Sequence, residues 1–150
     1  MMKIESIAIS TKKGTRKSSV SEARVKTDHG IVGDAHAGPW HRQISFLAME
    51  SIAKAKQQGV DVTFGSYAEN IATSGIEWPD VPVGTQLSLG ETVVVEITQI
   101  GKECHHKCAI YYQAGDCIMP TQGVFAKVIT GGKIHCGDEI RFLSQKRGEI

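Results

Sequence analysis

No run of apolar residues in this chain approaches the ~20 needed to span a bilayer. The opening, MMKIESIAIS, is too short and too polar for a signal peptide. A cytoplasmic protein without membrane association is therefore expected. An excess of charge of one sign is also missing. Lys and Arg number 17 against 16 Asp and Glu, so bulk charge gives no ground for nucleic-acid binding. Lys12, Lys13, Arg16 and Lys17 read as a solvated loop, and Lys146 and Arg147 as a solvated tail. Repeats, low-complexity tracts and linkers are absent. The 150 residues suit one domain, 1–150, large enough to bury a core without disulfides or metals. In a reducing compartment Cys104, Cys108, Cys117 and Cys136 stay thiols.

Short strand patterns dominate what is present. KIESIAIS alternates apolar and polar residues, SVSEARVK is a second strand, RQISFLA a third, and TVVVEITQI the strongest, dense in β-branched residues. MESIAKAKQQG is the best helix, with Gly59 placed as its C-terminal stop. DHGIVGDAHAGPWH reads as a loop, and FGSYAENIATSGI as an irregular segment. A short strand follows the proline-bearing WPDVPVGT. GVFAKVITGGKI reads as a strand, a Gly-Gly turn and a return, and DEIRFL closes the chain as a last strand. Seven or eight strands with one or two helices predict a mostly-β fold: a closed or partly closed β-barrel, or a sandwich, with a few short helices.

The densest chemistry lies in ECHHKC, residues 103–108. A structural zinc site wants four ligands in close pairs. Cys104 and Cys108 fit one pair, and His105, His106 and His135 add donors, but Cys117 and Cys136 make no second pair. A dithiol redox pair normally has two intervening residues rather than three. A single reactive thiolate at Cys104 is the third reading. The residue ends a strand, and a following helical turn with His105, His106 and Lys107 would favour the anion, while Glu103 opposes it. The plain alternative is a buried cysteine acting as a small hydrophobe, which is the reading preferred for Cys136.

GIVGDAHAG, RQISFLAMESI, FGSYAENIATSGI, VGTQLSLG, ITQIGKEC and GVFAKVITGGKIHCGDEI, in that order, resemble the MOSC domain family in its single-domain bacterial form. The family is named after the C-terminal domain of the molybdenum cofactor sulfurase. The resemblance implies a mostly-β barrel with a pocket for the molybdenum cofactor (molybdopterin), a pterin dithiolene carrying a phosphate. It places Cys104 where a cysteine of larger relatives binds molybdenum, and it implies a pocket lined by Asp34, His36, Arg42, Gln43, Asn70 and Lys127, with Cys108 a second thiol nearby. Arg42 and Lys127 are suited to phosphate, and Gln43 and Asn70 to a pterin edge. The family's simpler pattern has Arg-Pro before the cysteine, whereas this chain has Lys102 and Glu103. Pyridoxal phosphate is not expected, because the sulfurase's domain for it has no counterpart here. The implied function is that of a carrier or sulfur-handling accessory protein. Its partners would be molybdenum cofactor biosynthesis proteins or apo-molybdoenzymes. The alternatives are a cofactor-dependent reductase of N-hydroxylated compounds, needing separate electron donors, and a structural-zinc β domain.

Overall fold

The structure is a computed structural model, and it describes residues 1–13, 15–59, 62, 64–101 and 123–144. Its strands are β1 Lys3–Ile9, β2 Ser18–Val20, β3 Glu22–Lys26, β4 Gly30–Ile31, β5 Ile44–Ala48, β6 Ile71–Ser74, β7 Gln86–Leu89, β8 Val93–Ile100, β9 Val124–Thr130, β10 Gly132–His135 and β11 Ile140–Ser144. Helix α1 spans Met49–Gln57, and a short 3-10 turn spans Trp78–Asp80. Eight strands form one sheet in the order β11-β7-β8-β9-β5-β6-β1-β2, and β10-β3-β4 form a second. No described helix is long and apolar enough to cross a membrane.

Strand burial follows from which faces are covered. In β8, Val93, Val95 and Ile97 are fully buried while Val94, Glu96 and Thr98 between them are half-buried. That is the alternation of a sheet with one face on the core. In β5, Ile44, Ser45, Phe46 and Leu47 are all buried. Ile44 and Phe46 enter the main core, and Leu47 packs with Ile52 and Ala55 of α1 on the opposite face. Two covered faces give a continuous apolar run. The β5–β6 pair is parallel, so it needs a crossover, which α1 supplies. The helix ends as its sequence indicates, with Gly59 at φ +93° just past the last turn.

β1 departs from simple alternation. Ile4 and Ile7 both reach the core, although a regular strand would send them to opposite faces. The pairing with β6 shifts between Ile4 and Ser6. One extra residue in β1 restores both isoleucines to the same side, as a β-bulge does.

Several sequence expectations are corrected. SVSEARVK is not one strand: it divides at Ser21, with β2 in the large sheet and β3 in the small one. The segment read as irregular contains β6, paired on both sides and buried at Ile71, Ala72 and Thr73. Gly30 and Ile31 leave the loop to pair with β3. β9 and β10 are not a hairpin, because β10 pairs with β3. The Gly131-Gly132 step makes that change of sheet possible. A Cβ on Gly131 would strike the Val25 carbonyl oxygen, and one on Gly132 would strike Thr92 Oγ1. The fold is mostly β, but the described strand pairs do not close into a barrel. The large sheet keeps two ends, β11 and β2. The start of β1 meets the residues before β11 through one bridge, Lys3 to Glu139, and through hydrogen bonds such as Ile4 N–H to the Asp138 carbonyl at 2.9 Å.

Candidate functional site

The polar turn after β1 carries the first surprise. Lys17 is buried, not solvated. Its ammonium donates to Asp34 Oδ1 at 2.8 Å and lies 3.0 Å from both Ser10 Oγ and His36 Nδ1. Both charged side chains of this pair are wholly buried. An ammonium can only donate, so His36 Nδ1 accepts and the imidazole proton sits on Nε2. Asp34 also accepts the Ser10 and His36 N–H groups, at 3.1 and 3.0 Å. Burial alone would raise the Asp34 carboxyl, but Lys17 and the two N–H donors outweigh it and hold the group below the usual aspartate range. Above this node opens a cavity of about 340 Å³ lined by Ser10, Thr11, Lys12, Thr15, Arg16, Ser18 and Gly33. Hydroxyls and two cations around one basin suit an oxyanion.

The second cluster centres on Trp40. Its indole N–H donates to the His36 carbonyl at 2.7 Å. Lys13 Nζ lies 4.7 Å from its ring centre, and the Arg42 guanidinium 4.6 Å. Arg42 also lies over Phe125 at 5.6 Å, so two rings hold the guanidinium plane. Its Nε is buried without a hydrogen-bond partner among the described residues. Next to it the β8–β9 pairing shifts between Ile97 and Gln99. Thr98 Oγ1 donates to the His41 carbonyl there. His41 Nε2 and Gln99 Oε1 are 2.8 Å apart, and Gly101 N–H donates to the Gly123 carbonyl at 2.6 Å. Bulges of this kind commonly re-aim side chains beside functional sites.

Cys104 and Cys108 lie outside the described residues, as does Cys117. Lys127 lies two residues from Phe125 on β9, hence on the same sheet face, paired in register with Glu96. Arg42, Lys127 and, through Trp40, His36 are thus brought into one region. Gln43 and Asn70 lie deeper. Gln43 is fully buried, donating to Asp28 Oδ1 at 3.0 Å and accepting the Val128 N–H at 2.8 Å. Asn70 accepts the Ser45 N–H at 2.9 Å and donates to the Ala8 carbonyl at 3.1 Å, bracing β5 against β1. Replacing Asn70 by Ala is expected to cost about 2 kcal/mol by orphaning those groups, measurable as a lowered urea midpoint.

Three site residues escaped the sequence patterns: Lys17, Trp40 and Glu69. Glu69 is buried and accepts the N–H groups of Gly65 and Tyr67 at 2.5 and 3.1 Å. Cys136 corrects the buried-hydrophobe expectation, since it is exposed. Among the described residues no three His, Cys, Asp or Glu are grouped to hold a metal ion.

The MOSC domain model matches residues 33–141. The fold is similar to that of the YuaD protein of Bacillus subtilis, with TM-score 0.78, 19% identity, and 95% of this chain and 96% of that chain covered. It is also similar to YiiM from Geobacillus stearothermophilus, with TM-score 0.74, 19% identity, and 99% and 78% covered. YiiM from Escherichia coli aligns at TM-score 0.66 and 19% identity over 97% and 71%. A comparison with curated proteins gives no match. The match from Gly33 to Arg141 takes in Asp34, His36, Trp40 and Arg42 but not Ser10 or Lys17, and the chain belongs to the MOSC domain family.

Proposed function

We propose that this chain binds the molybdenum cofactor, or handles its sulfur, through Cys104, as a carrier or accessory protein in molybdoenzyme maturation. The observation that carries this reading is the orphaned Arg42 Nε, fixed between Trp40 and Phe125 beside the strand end that leads to Cys104. A buried donor without a partner is costly unless a ligand satisfies it. When bound, the cofactor supplies a molybdenum held by a dithiolene, open to a thiolate ligand. Its phosphate suits the basin of Lys12, Arg16 and the surrounding hydroxyls. Arg42 and Lys127 supply further positive charge, and His36 offers its Nε2 proton as a donor. Gln43 and Asn70 position the strands behind. In the sulfur-handling form, the Cys104 thiolate attacks the outer sulfur of a donor protein's cysteine persulfide, so that the donor S–S bond breaks, the donor leaves as its thiolate, and Cys104 holds the persulfide. The partners are molybdenum cofactor biosynthesis proteins or apo-molybdoenzymes.

Metal and pterin analysis of protein purified without oxygen tests this. Equimolar molybdenum and pterin are expected in the wild type. Molybdenum is lost in Cys104→Ser, and pterin falls in Arg42→Ala. Persulfide on Cys104 by mass spectrometry supports the sulfur-handling form. Equimolar zinc without molybdenum, pterin or persulfide overturns the proposal.

A further inference from the structure

A second cavity, of about 380 Å³, opens elsewhere, between the start of α1, the 3-10 turn and the ends of β8 and β9. Its size is within the range of small-molecule sites, ~300–1,000 Å³. Ile76, Trp78 and Val124 line it and are themselves almost fully buried. Ile100, 43% exposed, lines it too. The Trp78 indole N–H is satisfied from behind by Thr73 Oγ1 at 3.0 Å, and its ring packs on Phe46 with centroids 5.5 Å apart. The aromatic wall is therefore fixed before any ligand arrives.

The charged part of the lining is of one sign. Glu50 and Glu77 both line the cavity and are exposed. Glu50 is held by the Gly75 N–H, which donates to its Oε2 at 3.1 Å. Neither carboxylate forms an ion pair among the described residues. We infer that this cavity binds a small organic cation: an aromatic or aliphatic body against Trp78 and Ile76, with a protonated amine facing Glu50 and Glu77. An apolar pocket contributes affinity for the body by burial. Two carboxylates add Coulomb attraction and reject anions of the same shape. Ile100 and Val124 are register partners at the end of β8 and the start of β9. A role as substrate subsite rests on the cofactor reading, whereas cation binding does not.

The test is an NMR titration of the full chain, without molybdenum, following the Trp78 indole N–H. Benzylammonium is expected to shift this signal saturably. Benzyl alcohol and benzoate, of like shape, should bind about tenfold more weakly or worse. Glu50→Gln with Glu77→Gln should remove about tenfold of the benzylammonium affinity and leave benzyl alcohol unchanged. Gln at position 50 still accepts from Gly75, so the fold is kept. Equal binding of cation and alcohol by the wild type overturns the inference, as does an unmoved Trp78 signal or undiminished affinity in the double variant. Because no metal or pterin enters the assay, failure of the cofactor proposal leaves its result unaffected.

Discussion

Replacing Lys17 by Ala should destabilise the protein by about 3–5 kcal/mol, the cost of stranding one partner of a buried ion pair. The Lys17 and Asp34 side chains are both wholly buried, with Nζ 2.8 Å from Oδ1. Truncation leaves Asp34 with only the Ser10 and His36 N–H donors, and removes the cation that keeps its proton off. Domains of this kind have only ~5–15 kcal/mol in hand, so a sizeable share of stability goes with one side chain. The Asp34 carboxyl is held low in the folded state. Its contribution is therefore present above the ordinary aspartate range and is lost as pH falls through the folded value. In Lys17→Ala the cation that holds the folded carboxyl low is gone, so this acid-dependent loss should shrink. Urea unfolding of Lys17→Ala, Asp34→Asn and the double variant separates the pair from its surroundings. A single-variant cost below about 1 kcal/mol would mean that the pair behaves as an exposed one.

How far the sequence reveals this fold depends on how many faces each segment buries. β8 was legible because only one of its faces enters the core, so Val93, Val95 and Ile97 alternate with polar or half-buried neighbours. β6 was not, because IATS is short, made largely of small residues, and covered on both sides. The bulge in β1 and the change of sheet at Gly131-Gly132 are pairings between distant segments, and no local pattern records them. The site divides in the same way. Asp34, His36 and Arg42 stand in a glycine-rich loop whose composition announces chemistry. Lys17 stands in a run of cations that looks solvated, and only the fold of 10–36 shows that this one turns inward. Trp40 was passed over for a similar reason: its stacking on Arg42 and Lys13 is tertiary. A lone tryptophan between a proline and a histidine carries no period to read.

The stability of the wild type should fall as pH rises from about 5 to 8, and Glu69 should supply about 2–3 kcal/mol of that fall. Burial pushes its carboxyl from an ordinary 4.5 up to about 7, against the N–H groups of Gly65 and Tyr67 and the nearby Lys17 charge, which favour the anion. The unfolded chain gives up this proton near 4.5, and the folded chain keeps it until about 7. Between those values the folded state binds more protons, so raising the pH favours unfolding. Well above 7 both states are ionised and the cost is constant. Glu69→Gln cannot ionise, so its unfolding free energy should lack this slope. The difference between wild type and variant isolates Glu69 from the other ionisable groups. Relative to the wild type with Glu69 protonated, Gln is also expected to lower stability by about 1–2 kcal/mol, because its amide nitrogen must face one of the two N–H donors that the carboxyl oxygens now accept. Those two effects are distinct in urea titrations from pH 5 to 8: an offset at low pH from the mispaired donor, and a gap that closes and then reverses toward pH 8 from the absent ionisation. Parallel curves would show that Glu69 already ionises in the ordinary range. In Lys17→Ala the neighbouring cation is gone, so the Glu69 proton should be held to still higher pH, extending the window upward. That coupling would mark the node at Lys17 as one electrostatic unit with Glu69.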